Sequence, residues 1–161
     1  MKATVSDVVD MMEVIAPTRL AEEWDNVGLQ VGAGDWPVGI VWVSLDPRPD
    51  VVEQAAGAGV DLLITHHPLL FKPLRSVDPS TTVGAIVTRA LTSRSAIYAA
   101  HTNLDSAVDG LNDLLARTIG LTDLQPLAVV SSGDDAEEGL GRIGRLPTPV
   151  NLETLARQVE D

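Results

Sequence analysis

The 161-residue chain has no cysteine. That absence excludes disulfides, thiolate nucleophiles and cysteine-built zinc or iron–sulfur centres. Aromatic residues are nearly as scarce, with one Phe, one Tyr and three Trp, so there is little on which to stack a run of bases. Basic residues are outnumbered, 11 against 23 acidic, for a formal net charge of -12. A phosphate backbone would be repelled by that field, and nucleic acid is not an expected partner. No apolar run approaches the ~18 residues of a membrane span, and no basic start leads into an apolar segment with a small-residue cleavage site. Neither a membrane partner nor a secretory signal is read here, and a cytoplasmic protein is expected. A Gly-x-x-x-x-Gly-Lys phosphate loop is also missing.

What remains is ordinary globular composition, 45% hydrophobic and 21% charged, in a chain long enough for one domain with a real core. The charge is uneven. Residues 1–50 carry 3 basic and 9 acidic groups, residues 51–110 carry 4 and 5, and residues 111–161 carry 4 and 9. The nearly neutral middle holds all three histidines.

The pattern reads as α/β. Ser6 is placed to cap a helix with Val8, Val9, Met12 and Ile15 on one face, ending before Pro17. The segment Glu22-Glu23-Trp24-Asp25-Asn26 leads to a short apolar stretch over 27–32. Val38 to Leu45 reads as a strand broken by Asp46-Pro47 and Pro49, and Asp50 caps a helix over Val51 to Ala56. Leu62 to Thr65 is a continuous apolar run of the kind buried on both faces of a parallel sheet. Thr81 or Thr82 starts a helix with Val83, Ile86, Val87, Ala90 and Leu91 inward, and Ala96 to Ala100 is the next strand. Strands alternating with helices in this way predict consecutive right-handed crossover units. Beyond them, a helix is expected over Gly110 to Arg117 and a strand over Leu124 to Val130. An acidic exposed loop is expected over Ser131 to Glu138, and a Gly-rich strand or turn over Gly139 to Leu146. Asn151 caps a last helix whose Leu152, Leu155, Ala156 and Val159 form an apolar stripe. That stripe has no following segment to pack on, which is the pattern of an interrupted domain.

Chemistry-bearing side chains gather where two predicted strands end. His66 and His67 follow the run ending at Thr65, and His101 and Asp105 follow the run ending at Ala100. In open parallel sheets ligands bind outside the carboxyl ends of the strands, so neighbouring strands would bring both loops to one crevice. Each half also has a plainer explanation. A His pair can be one ring bonded in its loop and one exposed, and Asn103 and Asp105 are common turn and capping types. Pro68 biases His67 toward extended backbone, which predicts rings on opposite sides, each serving one of two ions that share a bridging ligand. A carboxylate can bridge two cations, and two-metal sites place the ions about 3.5–4 Å apart.

Three blocks in order, 22–29 (Glu-Glu-Trp-Asp-Asn-Val-Gly-Leu), 64–69 (Ile-Thr-His-His-Pro-Leu) and 98–105 (Tyr-Ala-Ala-His-Thr-Asn-Leu-Asp), strongly resemble the NIF-three-like dinuclear metal proteins, also known as GTP cyclohydrolase 1 type 2 homologues. Residues 139–146 look like a fourth family segment. The resemblance implies an α/β metalloprotein with a mixed, largely parallel sheet and crossover helices. It further implies two divalent cations and, usually, a ring-shaped cytoplasmic homohexamer. By motif position, His66, His67 and Asp105 match metal ligands. His101 fits a role beside the site, orienting Asp105 or a bound water. Asp25 is a further near-site candidate, the plainer alternative being a buried Trp24 with Asp25 and Asn26 closing a turn.

The chain departs from the family pattern after residue 101. Family members carry a late His-x-x-x-Glu motif that supplies the remaining ligands, and no His follows His101 here. Residues 1–161 are therefore expected to be a single family domain lacking its C-terminal half, as a portion of a longer protein or as a natural short form. Three ligand residues cannot fill two coordination spheres, so this chain by itself is expected to bind metal weakly. Imidazole plus carboxylate suits Zn, Fe, Mn, Co or Ni without selecting among them. The implied activity is metal-dependent hydrolysis of a small molecule such as a nucleotide, His and Asp ligands activating a bridging water. The alternative is a non-catalytic metal-binding or interaction scaffold with a regulatory role.

Overall fold

Leu62–Thr65, apolar up to its closing Thr, sits inside the main sheet of the computed structural model, which describes residues 2–132 and 137–160. The chain divides into two units, Met1–Asn103 and Leu104–Asp161. The first runs β1 (Ala3–Thr4), α1 (Val5–Ile15), β2 (Gly28–Val31), β3 (Pro37–Val38), β4 (Val41–Ser44), α2 (Pro49–Gly57), β5 (Leu62–Thr65), α3 (Thr82–Ser93) and β6 (Ala96–Ala99). The main sheet has the order β2-β6-β5-β4, and β1 pairs separately with β3. β4, β5 and β6 are parallel, joined through α2 and α3, while β2 runs antiparallel along β6. The mixed, largely parallel sheet with crossover helices is the fold expected from the sequence.

Burial explains why these runs are strands. Every residue of β6 is buried, and β5 is buried except for half-buried Ile64. This is the continuous apolar signature of strands covered on both faces. Register sets Leu63 beside Ile97. They join Val31, Val52, Ile86, Val87 and Ala90 in one core between sheet and helices. Each large apolar side chain there contributes roughly 1.5–3 kcal/mol.

Several local boundaries differ from the sequence pattern. Helix α1 starts at Val5, because Thr4 caps it in place of Ser6. The Thr4 Oγ1 accepts from the Asp7 N–H at 3.3 Å, and the Asp7 carboxylate accepts from the Thr4 N–H at 2.7 Å. Helix α2 starts at Pro49, which occupies a first-turn position where its missing N–H costs nothing. The Val38–Leu45 run is two strands. The Gly39 and Ile40 N–H groups donate to Asp61 Oδ2 at 2.8 and 2.9 Å, which turns the chain out of one ladder and into the next. Leu91, expected inward, is half-exposed, lying about 100° round the helix from the buried Ala90.

Residues 102–106 form a short helix, α4 (Thr102–Ser106). The second unit then contains α5 (Leu111–Thr118), β7 (Thr122–Ser132), β8 (Glu137–Arg145) and α6 (Leu152–Glu160), with β7 and β8 as an antiparallel ladder. That ladder pairs Ser131 with Glu138 and Ser132 with Glu137, so the ends of the expected acidic loop are strand. The rest of the loop, 133–136, lies outside the described residues. Asn151 caps α6 as expected, its Oδ1 accepting from the Thr154 N–H at 2.8 Å. Within this unit Asp113 and Arg142 form an ion pair with both side chains under 10% exposed. No helix among the described residues is long and apolar enough to cross a membrane.

Candidate metal centre

The parallel register determines what gathers at one sheet edge. Ser44 pairs with Thr65, and Thr65 pairs with Ala99. Two residues past each of these lie Asp46, His67 and His101, on the loops that leave three adjacent strands. β2 runs the other way and opens with Gly28 opposite Ala99, so Asp25, just before it, arrives at the same edge.

Backbone bonds hold the loops there. The His67 N–H donates to the Leu45 carbonyl at 2.9 Å, and the Thr65 hydroxyl donates to the His67 carbonyl at 2.8 Å. Asn103, fully buried, accepts from the His101 N–H at 2.9 Å and donates to the Ala16 carbonyl at 2.7 Å.

The three imidazoles converge. Ring centroids are 5.0 Å apart for His66 and His67, 5.1 Å for His66 and His101, and 5.5 Å for His67 and His101. One ring nitrogen from each lies within 4.8 Å of the other two. The tandem rings thus share one side instead of pointing apart. The reason is that the chain bends at 66–67, so the two-residue alternation of a strand stops at Thr65.

Each imidazole is gripped through Nδ1. His66 Nδ1 is 3.0 Å from the Ala100 carbonyl, His67 Nδ1 is 2.6 Å from Asp46 Oδ1, and His101 Nδ1 is 3.0 Å from Asp25 Oδ1. All three partners are oxygen acceptors, so Nδ1–H is the donor in each bond and Nε2 is the ring atom left for a cation. Acceptors of this kind behind the ring are what orient metal-binding histidines. Three imidazole donors behind such partners suit Zn, Fe, Co or Ni, so the donor set fits a divalent cation.

Asp25 is the most constrained of the partners. Its side chain is fully buried. Burial pushes its carboxyl up, yet the bonds from His101, the Thr102 hydroxyl and the Asn26 and Thr102 N–H groups outweigh this and hold it below the usual carboxylate range. It is therefore an anion facing His101. Asp25→Asn keeps the shape and removes the charge. It is expected to weaken Zn²⁺ binding about 10–100-fold, measured by titration calorimetry, with secondary structure unchanged.

His66, His67, His101 and Asp25 are thus brought together. His101 stands in the imidazole cluster itself, a position as good for ligation as those of the tandem pair. Trp24 is 58% exposed, not buried as the turn reading required. Asp105, in α4, belongs to the second unit, where its carbonyl accepts from Asn112 Nδ2 at 3.0 Å. Asp46 is the functional residue that the sequence pattern marks only as a strand breaker. Its signal was positional, an acid two residues past a strand end beside the strand carrying His67.

A model of the Duf34/NIF3 (NGG1p interacting factor 3) family matches residues 3–161. The chain is 36% identical over 157 residues to a GTP cyclohydrolase 1 type 2 homolog of Streptomyces coelicolor, covering 98% of this chain and 55% of that protein. To the homolog of the same name in Clostridium acetobutylicum it is 33% identical over 161 residues, 100% of this chain and 60% of that one. The chain therefore spans little more than half the length of these relatives. Among solved structures it is similar to a Bacillus cereus protein related to NIF3, with TM-score 0.76 and 38% identity over 81% of this chain and 36% of that one. It is also similar to reduced HcgD from Methanocaldococcus jannaschii, with TM-score 0.83 and 33% identity over 99% of this chain and 60% of that one.

Proposed function

The chain belongs to the Duf34/NIF3 family, and from that premise we propose that it carries the imidazole half of the metal site of a divalent-metal-dependent hydrolase. The observation that supports this is the convergence of His66, His67 and His101, each ring held through Nδ1 by an oxygen acceptor. In this reading His66, His67 and His101 hold metal through Nε2, and Asp46 and Asp25 fix the ring planes. By motif position Asp105 would be a further carboxylate ligand, and a two-cation site would need other donors besides these. Bound cations would supply Lewis-acid polarisation of the substrate and a lowered water pKa. The chain's own part is to hold three imidazoles aimed at one place, and to offset cation charge with the Asp25 carboxylate. The substrate class is a small molecule with a hydrolysable bond, a nucleotide in keeping with the name of the Streptomyces relative. Cytoplasmic location and a homohexamer complete the proposal.

Titration calorimetry of the protein with Zn²⁺, Mn²⁺ and Ni²⁺ tests the metal site directly. For this chain by itself a weak, saturable isotherm lost on adding chelator is expected, and no saturable isotherm with any of the three ends the reading. Turnover of GTP by the metal-loaded protein tests the hydrolase. Metal binding with turnover no higher than the metal-free control would leave the non-catalytic scaffold instead.

A further inference from the structure

Trp24, Asn26, Leu70, Phe71, Lys72 and Leu74 line a pocket of about 490 Å³ in the first unit, and Asp25 forms part of the same wall. In a chain with five aromatic residues, two are spent here, and both are about half-exposed. Their rings are 5.9 Å apart at 54°, forming an apolar corner. Trp24 also meets the His101 ring edge to face at 6.3 Å, so this corner abuts the imidazole cluster.

The two walls are tied by side-chain amides. Asn26 Nδ2 donates to the Leu70 carbonyl, the Leu70 N–H donates to Gln30 Oε1 at 3.0 Å, and Gln30 Nε2 donates to the Asn26 carbonyl at 3.0 Å. A loop closed by such a ring of bonds onto the start of a strand is pre-shaped, which lowers the ordering cost of binding.

Charge defines the ligand further. The Asp25 carboxylate is occupied by donors from His101, Thr102 and Asn26. Lys72 has no hydrogen bond or ion pair among the described residues, although the chain carries a net charge of -12. The pocket thus offers an aromatic corner and one uncommitted cation.

We infer that this pocket binds a small anionic molecule built on a planar aromatic ring, its ring against Trp24 and Phe71 and its anionic group at Lys72. Aromatic contact and a single ammonium contact each contribute modestly, so both are needed and either is separable by substitution. The site requires no metal, so its failure and that of the hydrolase reading are distinguishable.

The test is calorimetric titration of the metal-free protein with 2-naphthoate, alongside neutral 2-naphthamide and non-aromatic cyclohexanecarboxylate. Saturable binding of 2-naphthoate is expected, at least about tenfold tighter than either comparison compound. Trp24→Leu and Lys72→Met, both at exposed positions, are each expected to weaken it about tenfold or more, which at ~1.4 kcal/mol per decade is within reach of one lost contact. Absence of saturable binding, equal binding of the three compounds, or native affinity in both variants overturns the inference.

Discussion

In the intact protein, where the remaining ligands complete the metal site, His67→Ala is expected to lower Zn²⁺ affinity by more than about 100-fold and to bring metal-dependent GTP turnover down to the metal-free rate. Loss of a partner behind a ligand costs about 10–100-fold, and loss of the ligand itself should exceed that range. His67 is a suitable probe because its side chain is 44% exposed, so truncation leaves no sealed cavity and folding should persist. The substitution also leaves the Asp46 carboxylate without its imidazole, but Asp46 is itself 43% exposed and water replaces the lost bond. Calorimetry for affinity and chromatographic assay of GTP loss check the two parts separately. Undiminished turnover with weakened metal binding would divorce the chemistry from this site. Undiminished metal binding would remove His67 from it.

The sheet was legible in the sequence wherever both faces of a strand are covered. Leu62–Thr65 and Ala96–Ala99 carry only apolar side chains apart from the Thr65 and Tyr98 hydroxyls, and their bounds agree with the sequence pattern to within a residue. The split between β3 and β4 was not legible, because it depends on Asp61, a residue more than 20 positions away, capturing two N–H groups. Thr4 beat Ser6 as a cap for a local reason that was visible in principle, Asp7 standing three residues on. At the site, the placement of His66, His67 and His101 followed from strand ends alone. Their common orientation did not, since it is set by bonds to Ala100, Asp46 and Asp25 that arrive on three other segments. Parallel register would have supplied Asp46, had the two-residue offset past Ser44 and Thr65 been counted. Trp24 illustrates the opposite error. A large aromatic beside a turn invites burial, yet here it walls a pocket.

Arg142→Met is expected to destabilise the second unit by about 3–5 kcal/mol, because it leaves a carboxylate buried without its counterion. Arg142 and Asp113 are 4% and 8% exposed. The guanidinium also donates to the carbonyls of Gly139, Gly141 and Ala107 at 2.6, 2.8 and 2.9 Å, so one side chain ties β8 to the segment before α5. Burial pushes the Asp113 carboxyl up, but Arg142, the Asp109 N–H and the nearby Arg117 charge together hold it below its ordinary value of 3.8. A depressed native carboxyl binds fewer protons than the unfolded one. The pair's contribution is therefore fully present above about pH 4 and is lost as pH falls through the native value. In Arg142→Met the main cause of that depression is gone and burial dominates, so the carboxyl should rise. The pH dependence then changes sign, with stability greatest when Asp113 is protonated and falling as it ionises. Urea unfolding followed by circular dichroism from pH 3 to 7 reads both effects. A variant losing less than about 1 kcal/mol at pH 7, with the native pH slope retained, would show that the pair is solvated in solution and does not hold the hairpin to α5.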